Sequence, residues 1–475
     1  INNFLKKNIK KKNYWNSSVD YWLLHFISTI NTKYQKLKIL KKKYPNLKVF
    51  RIDSKYLADI NETRDFIELA ETSESFNVFI YQKVAEVLNI KLIDSNFKGS
   101  SVPKLLKDRY KIEKKQYKDF FIKKIRFLFI YLYCVIRKPY LFIDIYSSKK
   151  FKIKCFLSSF GNFLPISSES IYLNKKIYTK KKALNLQSIN LVEIDEFDRI
   201  ANNIINYCFP KNLLISHDLK KFNFLKNIKG IISSVNISSQ DYFRFVISTL
   251  GKNKNYTLQH GALYEIQKKH LHEDFEKKYS IFLGWKKLFS YQAYFSNKFI
   301  NKLSYKQNLN IVLFTTIKNI NASLYEYENN YLKTNDDFIK NQFLFYNKLD
   351  SRFRNKLIVR NPKENYNCNF KQMWIKQFRN FDCKFKLPKF FNLDSSEIAI
   401  SKSRIFVCDH IGTAFFEALH AEIPILVFDN LKKYEFKKNI LKLFLELKKN
   451  KIIFDNPEQC AAFVNKHYDK VDDWW

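Results

Sequence analysis

Two short segments of this chain carry side chains suited to moving a proton or holding a phosphate. The first is Tyr256-Thr257-Leu258-Gln259-His260-Gly261-Ala262. It reads as a strand ending in a polar residue, a histidine and a glycine, which presents the His260 imidazole at a strand's carboxyl end. An imidazole there is a natural general base for an acceptor hydroxyl, although a single histidine can equally be structural. The second runs from Ser403 through Cys408-Asp409-His410-Ile411-Gly412-Thr413 to Glu417, and on through Pro424 to Ile425-Leu426-Val427-Phe428. Its pattern is strand, Gly/Thr turn, helix, short turn, strand. Gly412 lets backbone approach a ligand, and the helix behind it offers unpaired N–H groups and a positive dipole end to a phosphate. Glu417, about one helical turn further on, is placed to accept hydrogen bonds from ribose hydroxyls. The plain alternative is an ordinary strand–helix–strand unit with Thr413 as helix cap.

Further candidates surround these two. Leu357-Ile358-Val359-Arg360-Asn361-Pro362-Lys363 puts Arg360 and Lys363 at a strand end, where Arg360 can fork onto a diphosphate. His270, His272, Glu273, Asp274 and Glu276 follow His260 closely, but without a metal-binding spacing. One of these acids, with Glu273 as the candidate, is expected to orient His260 or serve as a second acid/base group. Ser216-His217-Asp218 spells a triad, yet consecutive strand residues point to opposite faces and cannot form one. The chain holds no Walker loop, no GxGxxG and no nucleophile elbow.

These motifs need elements to position them. Residues 1–135 read mainly as helices. From about residue 139, short apolar runs appear at Tyr140–Ile145, Leu213–Ser216, Gly230–Val235 and Tyr256–Gln259, with a helical stretch at Asp241–Leu250. After a polar segment, Ser296–Asn310, strands resume at Ile311–Thr315, Lys356–Val359, Arg404–Cys408 and Ile423–Phe428. Strands alternating with helices imply parallel sheets. The expected fold class is α/β, with two Rossmann-like domains facing a cleft and a helical N-terminal region. The expected domains are 1–304 (helical to 135, Rossmann-like over 136–304) and 305–475. Ile1 and the Trp474-Trp475 ending suggest a fragment or processed chain, with N-terminal sequence missing.

Composition bounds the partners. The chain has 475 residues, and Lys plus Arg outnumber Asp plus Glu by 84 to 45, a formal net charge of +39. That excess would suit a polyanion. The lysines are spread over the whole length, however, in a chain crowded with Asn, Ile, Phe and Tyr, as AT-rich codon usage would produce. Clusters such as Lys10-Lys11-Lys12 and Lys180-Lys181-Lys182 are short. Seven scattered cysteines (134, 155, 208, 368, 383, 408 and 460) form no CxxC pair, which argues for reduced thiols and a cytoplasmic setting. The strongest apolar run, Phe127–Ile136, is too short to span a bilayer. With Lys123, Lys124, Arg126 and Arg137 around it, it reads as a half-buried helix or one lying on a membrane face.

Taken together, the strand–DxxGTxxxE–helix–x–Pro–strand block resembles the donor-binding region of GT-B-type enzymes. Gln259-His260-Gly261, Arg360-x-Pro362 and Asp409-His410-x-Gly412-Thr413 more narrowly resemble a family of bacterial surface-carbohydrate transferases, similar to teichoic-acid glycerophosphotransferases and capsule glycosyltransferases. Tyr14-Trp15, Tyr21-Trp22 and Trp474-Trp475 share that likeness. Ala262 stands where the family carries a second glycine, and Gly284-Trp285 where it favours Trp-Gly-Trp. The resemblance implies a metal-independent transferase with no cofactor, whose substrates are a nucleotide-sugar or related donor and a glycan or lipid-linked acceptor. Gln259, Gly261, Arg360, Lys363, Asp409, His410, Gly412, Thr413 and Glu417 would bind the donor and its phosphates, with His260 as base. The setting implied is cytoplasmic, with peripheral contact at the inner membrane face. A polyol-phosphate transferase, a nucleotide-sugar epimerase and, from another class, a basic nucleic-acid-binding protein remain open, nucleic acid being the less expected partner.

Overall fold

The strand runs form where the sequence places them because their side chains alternate between two buried faces. Along β8 (Asn310–Phe314), Ile311 and Leu313 join one core and Val312 another. β11 (Ser403–Cys408) repeats this with Ile405 and Val407 against Phe406 and Cys408, and β12 (Ile425–Phe428) with Leu426 and Phe428 against Ile425 and Val427. A period of two with both faces apolar is what a parallel sheet covered on both sides requires.

The computed structural model describes residues 12–94, 120–145, 147, 149–168, 192–214, 225–234, 236–285, 308–316, 335–360, 369–381, 383, 386–391 and 396–475. They fall into two compact units. One holds the described residues up to His260 together with 271–285. The other holds Gly261–His270 and the described residues from 308 onward. A single change of domain near residue 305 therefore misses the loop 261–270. Its Ile266 and Lys268 exchange backbone hydrogen bonds with Lys437 and Glu435, which groups it with the second unit.

In the second unit, β8, β9 (Leu357–Arg360), β10 (Lys389–Phe391), β11, β12 and β13 (Ile453–Phe454) form one parallel sheet in the order β10-β9-β8-β11-β12-β13. Counted within the unit this is 3-2-1-4-5-6, the Rossmann order, with its reversal between β8 and β11. In the first unit, β3 (Tyr140–Ile143), β4 (Phe163–Ile166), β5 (Gly230–Ser233), β6 (Asn255–Leu258) and β7 (Ile281–Leu283) form a parallel sheet ordered β4-β3-β5-β6-β7. Counted the same way this is 2-1-3-4-5, the other common doubly wound order. The chain is thus a mixed α/β protein with Rossmann-like parallel sheets.

One expectation is corrected and one is extended. Beside its helices, the region 1–135 carries β1 (Lys48–Arg51) and β2 (Lys91–Asp94), which pair in parallel as a separate two-stranded sheet. These strands are four residues long, and each begins with a lysine and ends in a charged residue, so no apolar run marks them. At Leu213–Ser216 the described part is a 3-10 turn, Lys211–Leu214, whose Lys211 and Asn212 amides donate to the carbonyls of Ile60 and Asn61. Ser216, His217 and Asp218 lie outside the described residues, as do Lys180–Lys182 and most of the polar segment before β8. The Phe127–Ile136 run lies on the helix Phe120–Arg137, which buries Ile130 and Cys134 and exposes its other face. Among the described residues, no helix is long and apolar enough to cross a membrane.

Candidate functional site

At the carboxyl edge of the second sheet, where its strand order reverses, lies a pocket of about 330 Å³. Phe314, Arg360 and Cys408, the last residues of β8, β9 and β11, line it together with Ser396, His410, Gly412, Thr413 and Glu417. Open α/β sheets bind ligands at this place because loops leaving adjacent strands in opposite directions part there.

The loop after β11 is fixed by two buried acids. Asp409 accepts from the Thr316 amide at 2.9 Å and from Gln342 Nε2 at 2.6 Å, while its other oxygen meets His410 Nδ1 at 2.8 Å. Gln342 in turn accepts from Trp374 Nε1 at 3.2 Å. Convergent donors offset the cost of burying this carboxylate. Asp429, directly after β12, accepts from the Ile411 amide at 3.3 Å and from the Tyr434 hydroxyl. A carboxylate only accepts, so His410 Nδ1 carries the hydrogen, and Nε2 of the neutral ring is left as an acceptor.

Gly412 serves this arrangement in an unexpected way. Its φ is −137°, extended backbone open to any residue, and it rather than Thr413 is the N-cap of the helix Thr413–His420. A Cβ on Gly412 would lie 2.5 Å from His410 Nε2. The missing side chain therefore makes room for the imidazole. Gly412 brings no capping side chain to this helix start, and Gly412, Thr413 and Ala414 line the pocket. Within the helix, Glu417 is 2% exposed and accepts from the Ser396 hydroxyl. The Arg360 guanidinium lies 4.1 Å from the centre of the Phe314 ring, a stacking that sets its direction. Burial, reinforced by Asp409, holds the Cys408 thiol well above its usual range, so it is no nucleophile.

In the first unit, His260 follows β6, and its Nδ1 stands 3.9 Å from Glu276 Oε1, a carboxylate with no exposure. Glu273 is ion-paired with Lys277 one turn away. Glu276, not Glu273, is therefore the acid brought to the imidazole. Gln259 is engaged in holding structure: its side-chain oxygen accepts from the Trp285 amide at 2.7 Å and its carbonyl from Trp285 Nε1 at 3.1 Å. A Cβ on Gly261 would meet the Tyr264 ring at 3.1 Å. His270 packs on Tyr264, and His272 lies near Tyr21 and His25. Lys363 lies outside the described residues.

Sequence reasoning missed Gln342, Trp374, Ser396, Phe314 and Asp429, and among the acids after His260 it favoured Glu273 over Glu276. Gln342 left a trace as a polar residue among Phe338, Ile339, Phe343 and Tyr346 on the buried side of its helix. Asp429 left another, an acid closing an apolar strand just as Asp409 does. Ser396 left none.

The fold is a Rossmann-like α/β one, with a pocket at the strand ends of its second sheet. The chain belongs to the LIC12162 family transferases, whose family model matches residues 2–475. It is thus a transferase. No curated protein and no solved structure matches it.

Proposed function

We propose that this transferase moves a sugar or related group from a nucleotide-activated donor to a cell-surface glycan or lipid-linked acceptor, with the donor in the pocket of the second unit. The observation that carries the reading is the meeting of Arg360, the helix start at Gly412 and buried Glu417 at the reversal point of the sheet. Phosphates would lie over the Gly412 and Thr413 amides and beside Arg360, with the ribose hydroxyls donating to Glu417. His410, when protonated, would donate through Nε2 to a phosphate oxygen. In this reading the two units are the halves of a GT-B-like enzyme, the first acceptor-side and the second donor-binding.

In the transfer step, His260 takes the proton of the acceptor hydroxyl, whose oxygen bonds to the donor's reacting carbon. The bond from that carbon to the nucleotide's phosphate oxygen breaks, and its electron pair stays on the phosphate. Negative charge grows on the leaving phosphate, so preorganised amides and cations around it lower the barrier. A polyol-phosphate donor would call on the same groups, and the donor consumed separates the two readings.

The test is a thermal-shift screen with CMP-, CDP-, UDP- and GDP-linked donors. A ligand at a hundred times its dissociation constant adds about 2.7 kcal/mol of stability, well within reach of the method. Stabilisation by one nucleotide class is expected, lost in Glu417→Ala and kept in His260→Ala. Absence of any shift, alongside tight, salt-sensitive binding of nucleic acid, would overturn the reading.

A further inference from the structure

The helix Phe120–Arg137 leaves Ile125, Leu128, Phe129, Leu132 and Ile136 exposed, a spacing that sets them along one face, with Tyr131 and Val135 beside them. The helix Lys149–Ser158 buries no residue at all and exposes Ile153 and Leu157. The two are joined at one end: the Tyr133 hydroxyl donates to the Gly161 carbonyl at 3.0 Å, and Arg137 to that of Phe160 at 2.7 Å. Between them stands Phe160, 84% exposed and held at φ +50°. A bulky residue rarely occupies the left-handed region, and one that also points its ring into solvent gains nothing from folding there.

Charge says what covers this face. Residues 120–163 contain nine Lys and Arg and a single acid, Asp144. Asp144 is already engaged, accepting from the Ser168 amide. Lys149, Lys150 and Lys154 are exposed on the second helix, and Arg126 and Arg137 on the first. An apolar patch of this kind marks a contact surface, and a rim of cations with almost no acid selects a negatively charged partner. Exposed aromatics among aliphatics, with long basic side chains able to reach outward, match the layered chemistry of a bilayer interface.

We propose that the paired helices Phe120–Arg137 and Lys149–Ser158, with Phe160 at their junction, form a surface that seats the protein on an anionic lipid bilayer. The apolar side chains enter the headgroup boundary and the lysines and arginines contact the lipid phosphates. The inference stands apart from the donor reading, since it uses none of the pocket residues.

A net charge of +39 would attract any anionic vesicle, so the test must separate insertion from simple attraction. The charge-preserving triple variant Ile153→Ser, Leu157→Ser, Phe160→Ser is compared with the wild type for cosedimentation with phosphatidylglycerol/phosphatidylcholine vesicles. Affinity about tenfold weaker or more is expected, with wild-type melting behaviour kept. Independently, Phe160→Trp in the otherwise unaltered chain should be quenched by lipids brominated near the headgroup. Unchanged vesicle affinity in the triple variant overturns the proposal, as does a Phe160→Trp signal indifferent to brominated lipid. So does concentration-dependent dimerisation abolished by the triple variant, which would assign the face to a second copy of the chain.

Discussion

His260 and His410 each follow a strand end and are similarly shielded, with side chains 20% and 25% exposed, yet they are tethered differently. Asp409 touches His410 at hydrogen-bond distance and is itself gripped by the Thr316 amide and by Gln342, which Trp374 holds in turn. Tautomer and ring direction there are set before any ligand arrives. Glu276 faces His260 at 3.9 Å, beyond a hydrogen bond. One imidazole is fastened to its carboxylate, and the other stands off from its own.

Breaking the tighter tether should have the largest effect. In Asp409→Asn, an amide cannot accept from Thr316, Gln342 and His410 together. Denaturant unfolding should show a loss of about 3 kcal/mol. Stability unchanged within about 1 kcal/mol would mean the network does not hold the loop.

A third histidine extends the contrast. His25 is buried in the first unit beside Arg244, Tyr21 and His272, and burial, with Arg244 adding, pushes its pKa down to about 3. Its ordinary value in the unfolded chain is 6.5. Its contribution is therefore complete above pH 6.5 and drains away as pH falls toward 3. Urea titrations at pH 7 and pH 4 should differ by roughly 3 kcal/mol more in the wild type than in His25→Phe. Equal differences in both proteins would assign the acid sensitivity elsewhere.

At the looser tether, Glu276→Gln should slow transfer by about tenfold while leaving the nucleotide-induced melting shift intact. A lost melting shift with normal turnover would refute its role at His260. The smallest effect belongs to the far end of the His410 chain. Trp374→Phe removes one donor to Gln342 and should cost about 1 kcal/mol, with a displaced His410 side-chain signal by NMR. An unmoved signal would show that Asp409 holds the ring without the indole.

What the sequence disclosed follows from chain distance. Asp409, His410, Gly412, Thr413 and Glu417 lie within nine residues of one another, so a local pattern of strand, turn and helix brought them to light together. Strands β8, β9, β11 and β12 were visible because both of their faces are apolar. Ser396, Gln342 and Trp374 reach the same loop from elsewhere in the chain, and only the folded order of strands and helices brings them in. The choice of Glu276 over Glu273 depends on which helical turn faces the loop after β6. Both acids are almost fully buried, so an apolar pattern cannot rank them.

The reversal in strand order that opens the pocket also sets a schedule for synthesis. β8 pairs with β11 from Asn310 opposite Ser403, so 93 residues must follow before the centre of the second sheet can close. At about 5–20 residues per second, a ribosome leaves the apolar strand Asn310–Phe314 waiting on the order of 5–20 s for that neighbour. Until then β9 is the first partner on offer, and the half-built sheet presents an open edge. This interval is when the nascent chain is most exposed to mispairing and most in need of chaperone cover, and a slowing of translation between β9 and β11 would lengthen it.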